Sequence, residues 1–149
     1  MQHCGKCPDA VAQIHGGIDA PQLSGYVQFY QESGCVLVVA KISGLPMESE
    51  TGFYGFHIHQ GESCEGDDFA ETKGHYNSEN CPHPYHSGDL PPLFSNDGYA
   101  FEATLTNRFD ISEIIGKTVV IHSKSDDFKT QPSGDAGDKI ACGVIFQIA

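Results

Sequence analysis

Gly55-Phe56-His57-Ile58-His59-Gln60 places two histidines one residue apart among aromatic and β-branched neighbours. A strand has a side-chain period of two, so His57 and His59 share one face. Phe56 and Ile58 share the other, where a core takes them. Two imidazoles side by side on one strand face form half of a metal site. An isolated His-x-His is more often a surface pair, or one buried histidine satisfied by a backbone carbonyl. Here the downstream residues shift the balance. His75, His83, His86 and Asp89 lie in one long polar stretch, and His122 ends a later β-branched run. That makes six histidines and one carboxylate, with only His3 and His15 standing apart. A tetrahedral site takes four ligands, so seven candidates point to two metals.

The elements that must hold these residues read as strands. Ala10 to His15 alternates weakly before a Gly-Gly turn. Leu23–Tyr30 and Cys35–Ile42 flank a Glu-Ser-Gly turn and suggest a hairpin. Phe53–His59 is the next strand. Residues 60–96 are rich in Gly, Pro, Asn, Asp and His with little periodicity; a loop that long inside a domain is normally functional. Tyr99–Leu105 alternates cleanly, Ile111–Ile115 reads as a helical turn or loop plug, and Thr118–His122 is a β-branched strand. A second polar loop covers 123–138, and Ile140–Ile148 closes the chain as a strand. About eight strands with almost no helix predict an all-β fold: an eight-stranded antiparallel Greek-key barrel or sandwich with two long functional loops.

The length of 149 residues, 39% of them hydrophobic, fits one domain with a real core. We read residues 10–149 as that domain and 1–9 as an N-terminal extension. No stretch approaches the roughly 20 apolar residues of a membrane helix, and Met1 opens onto neither a basic head nor an apolar run, so no signal peptide is expected in this chain. The compartment is extracellular or periplasmic if a signal was removed, and cytoplasmic otherwise. A formal charge of -12 argues against nucleic acid and anionic membrane as partners. An anionic substrate would need the few basic residues placed locally. Six cysteines fit an oxidising compartment, or a fold that keeps one bridge anyway.

The motifs together resemble those of the copper/zinc superoxide dismutases. They are Gly55-Phe56-His57-Ile58-His59, Gly74-His75-Tyr76-Asn77, His86-Ser87-Gly88-Asp89-Leu90, Val120-Ile121-His122 with Asp126-Asp127, and the run from Gly134 to Ile145. The resemblance spans roughly residues 10–149, in family order. It implies copper on His57, His59, His75 and His122, and zinc on His75, His83, His86 and Asp89. His75 would bridge the two as imidazolate. Asp126 would hydrogen-bond a histidine from each site, and Cys64 and Cys142 would form a disulfide. The implied activity is disproportionation of superoxide to oxygen and hydrogen peroxide by Cu(II)/Cu(I) cycling, with a homodimer and a copper donor as further partners. The alternative is a non-catalytic copper- and zinc-binding relative that handles copper. Imidazole suits both metals, whereas thiolate would favour Cu(I).

Two positions depart from the pattern. Lys139 stands where the family usually has an arginine that guides the anion; the charge is kept and the planar fork is not. Ser133 replaces a channel-lining threonine. Lys129 reads as a solvated surface lysine. Only two residues separate His83 from His86, so the loop must be tight there. Of the extra cysteines, Cys35 reads as a small buried hydrophobe, and Cys81 sits beside His83, where it could disturb zinc selection or pair with Cys4 or Cys7. His3, Cys4 and Cys7 fit a disordered tail, a metal-capturing arm or a disulfide partner equally. His15 is read as structural.

Overall fold

In a computed structural model, residues 5–148 of the chain are described. Ala10–Gly16 (β1), Ser24–Glu32 (β2) and Cys35–Ser43 (β3) form an antiparallel meander. Phe53–Tyr54 (β4) and Phe56–His59 (β5) follow, then Leu93–Phe94 (β6) and Ala100–Thr106 (β7). A short helix, Ile111–Ile114 (α1), precedes Thr118–His122 (β8) and Lys139–Gln147 (β9). Seven strands make one curled sheet in the order β5-β8-β9-β1-β2-β3-β7, and β4 pairs with β6 in a second, two-stranded sheet. After the meander the chain leaves the sheet and returns at both of its edges. The all-β Greek-key expectation therefore holds. Ile111–Ile115 is the helical turn, with Asp110 and Glu113 closing a capping box at its start.

The strand list differs in two places. The expected strand Phe53–His59 is two, because the chain breaks at Gly55 so that β4 joins the small sheet and β5 the large one. β6 lies inside the stretch read as loop, as does a 3-10 turn over Asp67–Thr72. A two-residue strand after two prolines is too short to show a period.

The burial pattern explains how the sheet carries chemistry. β1 and β3 alternate between buried and more exposed positions, as half-buried strands do. β5 and β8 are buried at every position. Their inward residues, Phe56, Ile58, Val119 and Ile121, join the core with Ile14, Val27, Phe29 and Ile145. Their outward residues, including His57, His59 and His122, are buried because the long loops cover that face. A disulfide between Cys64 and Cys142 ties the first long loop to β9 across 78 residues of sequence. Asp9 Oδ2 accepts Gln31 N at 2.8 Å, so the segment before β1 lies against the end of β2. No helix among the described residues is long and apolar enough to cross a membrane.

Candidate metal centre

Strand register places three of the histidines. In the β5/β8 pair, His57 lies opposite Val120 and His59 opposite Thr118, so these residues face outward together. His122 is two residues beyond Val120 and therefore shares that face. Its N–H donates to Gly55 O at 2.8 Å, which closes the end of the pair.

The loop residues arrive by pairing with the other edge of β5. Tyr76 N donates to Ile58 O at 2.8 Å, Gln60 N to Gly74 O at 2.8 Å and Ile58 N to Gly88 O at 2.9 Å. These bonds set His75 against His59 and Asp89 against His57 as isolated bridges. They also cover a strand edge that would otherwise be open. Gly88 allows the approach: a Cβ there would collide with Ile58 O.

Two groups of donor atoms result. His57, His59, His75 and His122 form one, and His75, His83, His86 and Asp89 the other; within each, the ligating atoms lie within 4.8 Å of one another. His59 Nε2 and His122 Nε2 are 3.2 Å apart, as are His75 Nδ1 and His86 Nδ1. Asp89 Oδ1 is 2.8 Å from His75 Nδ1. These are the expected copper and zinc ligand sets, and His75 belongs to both.

Four of the ring nitrogens not aimed into the groups are held by protein. Asp126 Oδ2 takes His57 Nε2 at 2.7 Å and Asp126 Oδ1 takes His83 Nε2 at 2.7 Å, so one carboxylate spans both groups. His59 Nδ1 donates to Lys73 O at 2.8 Å and His122 Nδ1 to Gly137 O at 3.3 Å. Fixing one ring nitrogen sets the tautomer and leaves the other as a ligand. The complement is visible: the buried atoms His57 Nδ1, His75 Nε2 and His83 Nδ1 have no hydrogen-bond partner. Buried polar atoms without partners are costly unless something else satisfies them. A metal in each group satisfies all three, so the residues fit both ions. Gly134 passes close over the Asp126–His83 hydrogen bond, where a Cβ would overlap the carboxylate.

The electrostatics suit ligation. Burial, then the charge of neighbouring imidazoles, holds His57 and His59 well below the usual histidine range. Burial lowers His122 to about 4 and also lowers His86. Neutral imidazole is the ligating form. Burial alone would raise the Asp89 carboxyl, but the hydrogen bond and charge of His75 and the charge of His83 outweigh it and bring it down.

Lys139 pairs with His122 across β8 and β9, next to a register shift between Ile121 and His122. Its Nζ donates to Thr72 Oγ1 at 2.8 Å and to Lys73 O at 2.9 Å. Ser133 is half-buried beside Gly134, and Lys129 is exposed. His15 is exposed on β1, edge-on to Phe69, and belongs to neither group. Cys7, Cys35 and Cys81 are free thiols; Cys35 is half-buried at the start of β3, less enclosed than expected. His3 and Cys4 lie outside the described residues.

Sequence reasoning missed the side chains that brace the tight loop. Gln131 brackets His83, accepting from its N–H at 2.9 Å and donating to its carbonyl at 2.7 Å. Asn77 does the same to Cys81, at 2.9 and 2.8 Å. Arg108, the chain's one arginine, donates to Pro84 O at 2.8 Å and His86 O at 3.2 Å. Tyr76 OH donates to Glu113 at 3.0 Å. Polar side chains in loops carry no periodic signal, and all of these contacts except Asn77–Cys81 span more than 20 residues.

Comparison with known proteins agrees with the geometry. The family described as copper/zinc superoxide dismutase matches residues 23–145. The superoxide dismutase [Cu-Zn] of Legionella pneumophila is 35% identical over 145 residues, covering 92% of this chain and 86% of the relative. Superoxide dismutase [Cu-Zn] 2 of Aquifex aeolicus is 31% identical, covering 83% and 80%. The extracellular superoxide dismutase [Cu-Zn] of Rattus norvegicus is 31% identical, covering 85% of this chain and 56% of its own length. With two ligand groups joined at His75 and a match over most of its length, the chain belongs to the copper/zinc superoxide dismutase family.

Proposed function

We propose that the chain disproportionates superoxide to oxygen and hydrogen peroxide. One observation carries this reading: His75 belongs both to an all-imidazole group and to one that includes a carboxylate. When bound, copper supplies the one-electron couple that accepts from one superoxide and donates to a second, and zinc supplies fixed charge and holds the loop. Everything else is work for the chain's own residues.

His57, His59 and His122 present one nitrogen each and keep the other on Asp126, Lys73 O and Gly137 O. His75 offers Nδ1 to the zinc group and Nε2 to the copper group, and it is the ring able to hold and release a proton at Nε2. Solvent supplies the second proton. Asp126 orients one ring of each group. Lys139 attracts the anion beside His122, against the chain's net charge of -12. Ser133 lines the path next to Gly134. A non-catalytic relative would be expected to lack copper ligands, and this copper group is complete.

The reading treats residues 10–149 as one domain with 1–9 as its extension. Its partners are superoxide, a second copy of the chain and a copper donor. Exposed aromatic residues support the second copy: Phe53 and Phe94 lie 4.9 Å apart between ring centroids on the small sheet, and Phe101 is exposed on β7. Light scattering gives the oligomeric state.

The activity test follows superoxide decay after loading with both metals. Lys139→Arg should raise kcat/KM and Lys139→Glu lower it, with both differences shrinking as salt screens the field. A rate indifferent to both variants and to salt would remove Lys139 from the account.

A further inference from the structure

An ammonium on a four-carbon stem is a mobile point charge with many rotamers open to it. Lys139 is not mobile here. Its Nζ has two acceptors, Thr72 Oγ1 at 2.8 Å and Lys73 O at 2.9 Å. Thr72 is fully buried, and its hydroxyl donates to Phe69 O at 2.7 Å. With that proton committed, the hydroxyl oxygen turns lone pairs outward and acts on Lys139 only as an acceptor. Lys73 O also receives His59 Nδ1 at 2.8 Å, so one carbonyl ties the ammonium to a copper-group ring. The Cys64–Cys142 disulfide joins the loop that carries Thr72 and Lys73 to the strand that carries Lys139.

We infer that Thr72 is a positioning residue, whose hydroxyl fixes the Lys139 ammonium beside the copper group and so restores the rigidity lost with the arginine fork. The inference rests on reading Lys139 as the charge that attracts superoxide. An ammonium has three N–H donors. Two are occupied by Thr72 and Lys73, and one is left for the anion. A guanidinium has donors enough to be anchored and still present a pair; lysine reaches the same fixed placement only if the protein supplies both anchors. Without the Thr72 hydroxyl, the charge and the long-range attraction remain, but the ammonium spreads over several rotamers.

The test uses Thr72→Val, which matches threonine in shape, with Thr72→Ser as the conservative rescue and Lys139→Met as the reference. Two readouts are taken on the full chain. The first is the 15Nζ signal of Lys139 in zinc-loaded, copper-free protein, which requires no turnover. The second is kcat/KM with both metals bound. A distinct, slowly exchanging Lys139 signal should appear in the parent and in Thr72→Ser and merge with the bulk lysines in Thr72→Val. Thr72→Val should lower kcat/KM roughly 3- to 10-fold while keeping its salt dependence, and Lys139→Met should lower it by tenfold or more and flatten that dependence, on the order of what electrostatic focusing supplies. Thr72→Val with the parent's signal and rate overturns the inference, as does an equal loss in Thr72→Val and Thr72→Ser, which would mark a packing role. If Lys139→Met leaves kcat/KM unchanged, the reading of Lys139 fails and takes the inference with it, a result distinct from a silent Thr72→Val beside an impaired Lys139→Met.

Discussion

The two halves of the metal centre are built by different means. The copper half takes His57 and His59 from β5 and His122 from β8, strands buried at every position and paired in continuous register. The zinc half takes all of its ligands from residues 75–89, a loop with no strand of its own. Strand pairing distributes the placement of each copper-side histidine over the whole sheet. The zinc-side residues depend on individual hydrogen bonds: Gln131 on His83, Arg108 on Pro84 and His86, and the bridges to β5. The contrast predicts that the copper half keeps its geometry without metal, while the zinc half leans on its metal and its braces. Among the described residues, His75 belongs to both groups and Asp126 hydrogen-bonds a ring of each.

The contrast breaks most completely at His122. His122→Ala should abolish superoxide turnover and copper binding while zinc content and thermal unfolding stay near those of the parent; elemental analysis with a decay assay decides it. Asp89→Ala comes next. It should remove zinc and loosen residues 75–89, seen as faster amide exchange there, while the amides of β5 and β8 keep their protection. Loss of protection in β5 would mean that the halves are one unit.

A smaller effect is expected from Arg108→Gln. Zinc affinity, read by chelator competition, should fall about tenfold, the low end for an outer partner of a metal site. Copper affinity in zinc-loaded protein should stay put. The smallest effect lies outside both halves. Burial raises the Glu102 carboxyl on β7 to about 8. Between its ordinary value, near 4.5, and about 8, the folded chain holds a proton that the unfolded chain releases, so this residue's contribution to stability declines as pH rises through that window. Glu102→Gln should raise Tm at pH 8 by a few degrees, about what 1 kcal/mol gives in a domain this size, and leave Tm at pH 4 and both metal contents unchanged.

The same contrast decides what could be read from the sequence. His57-x-His59 on a strand face and His122 at the end of a β-branched run follow from the period of two, and the core partners Phe56 and Ile58 come with them. The loop histidines were visible as residue types, but their assignment to one group or the other came from the family resemblance, as did Asp126. The braces were not legible. Gln131 meets His83 across 48 positions and Lys139 meets Thr72 across 67, and neither threonine nor glutamine in a polar loop differs locally from its neighbours. β6 escaped because two residues have no period, and Cys35 is less buried than its apolar surroundings suggested.

The most direct test of the account is native mass spectrometry of the full chain titrated with copper and zinc together, with superoxide decay followed on the same sample. The account predicts one copper and one zinc per chain, and turnover that appears with the copper and slows as salt is raised. Filling of both sites without turnover, or a chain that holds only one metal at saturation, would contradict it.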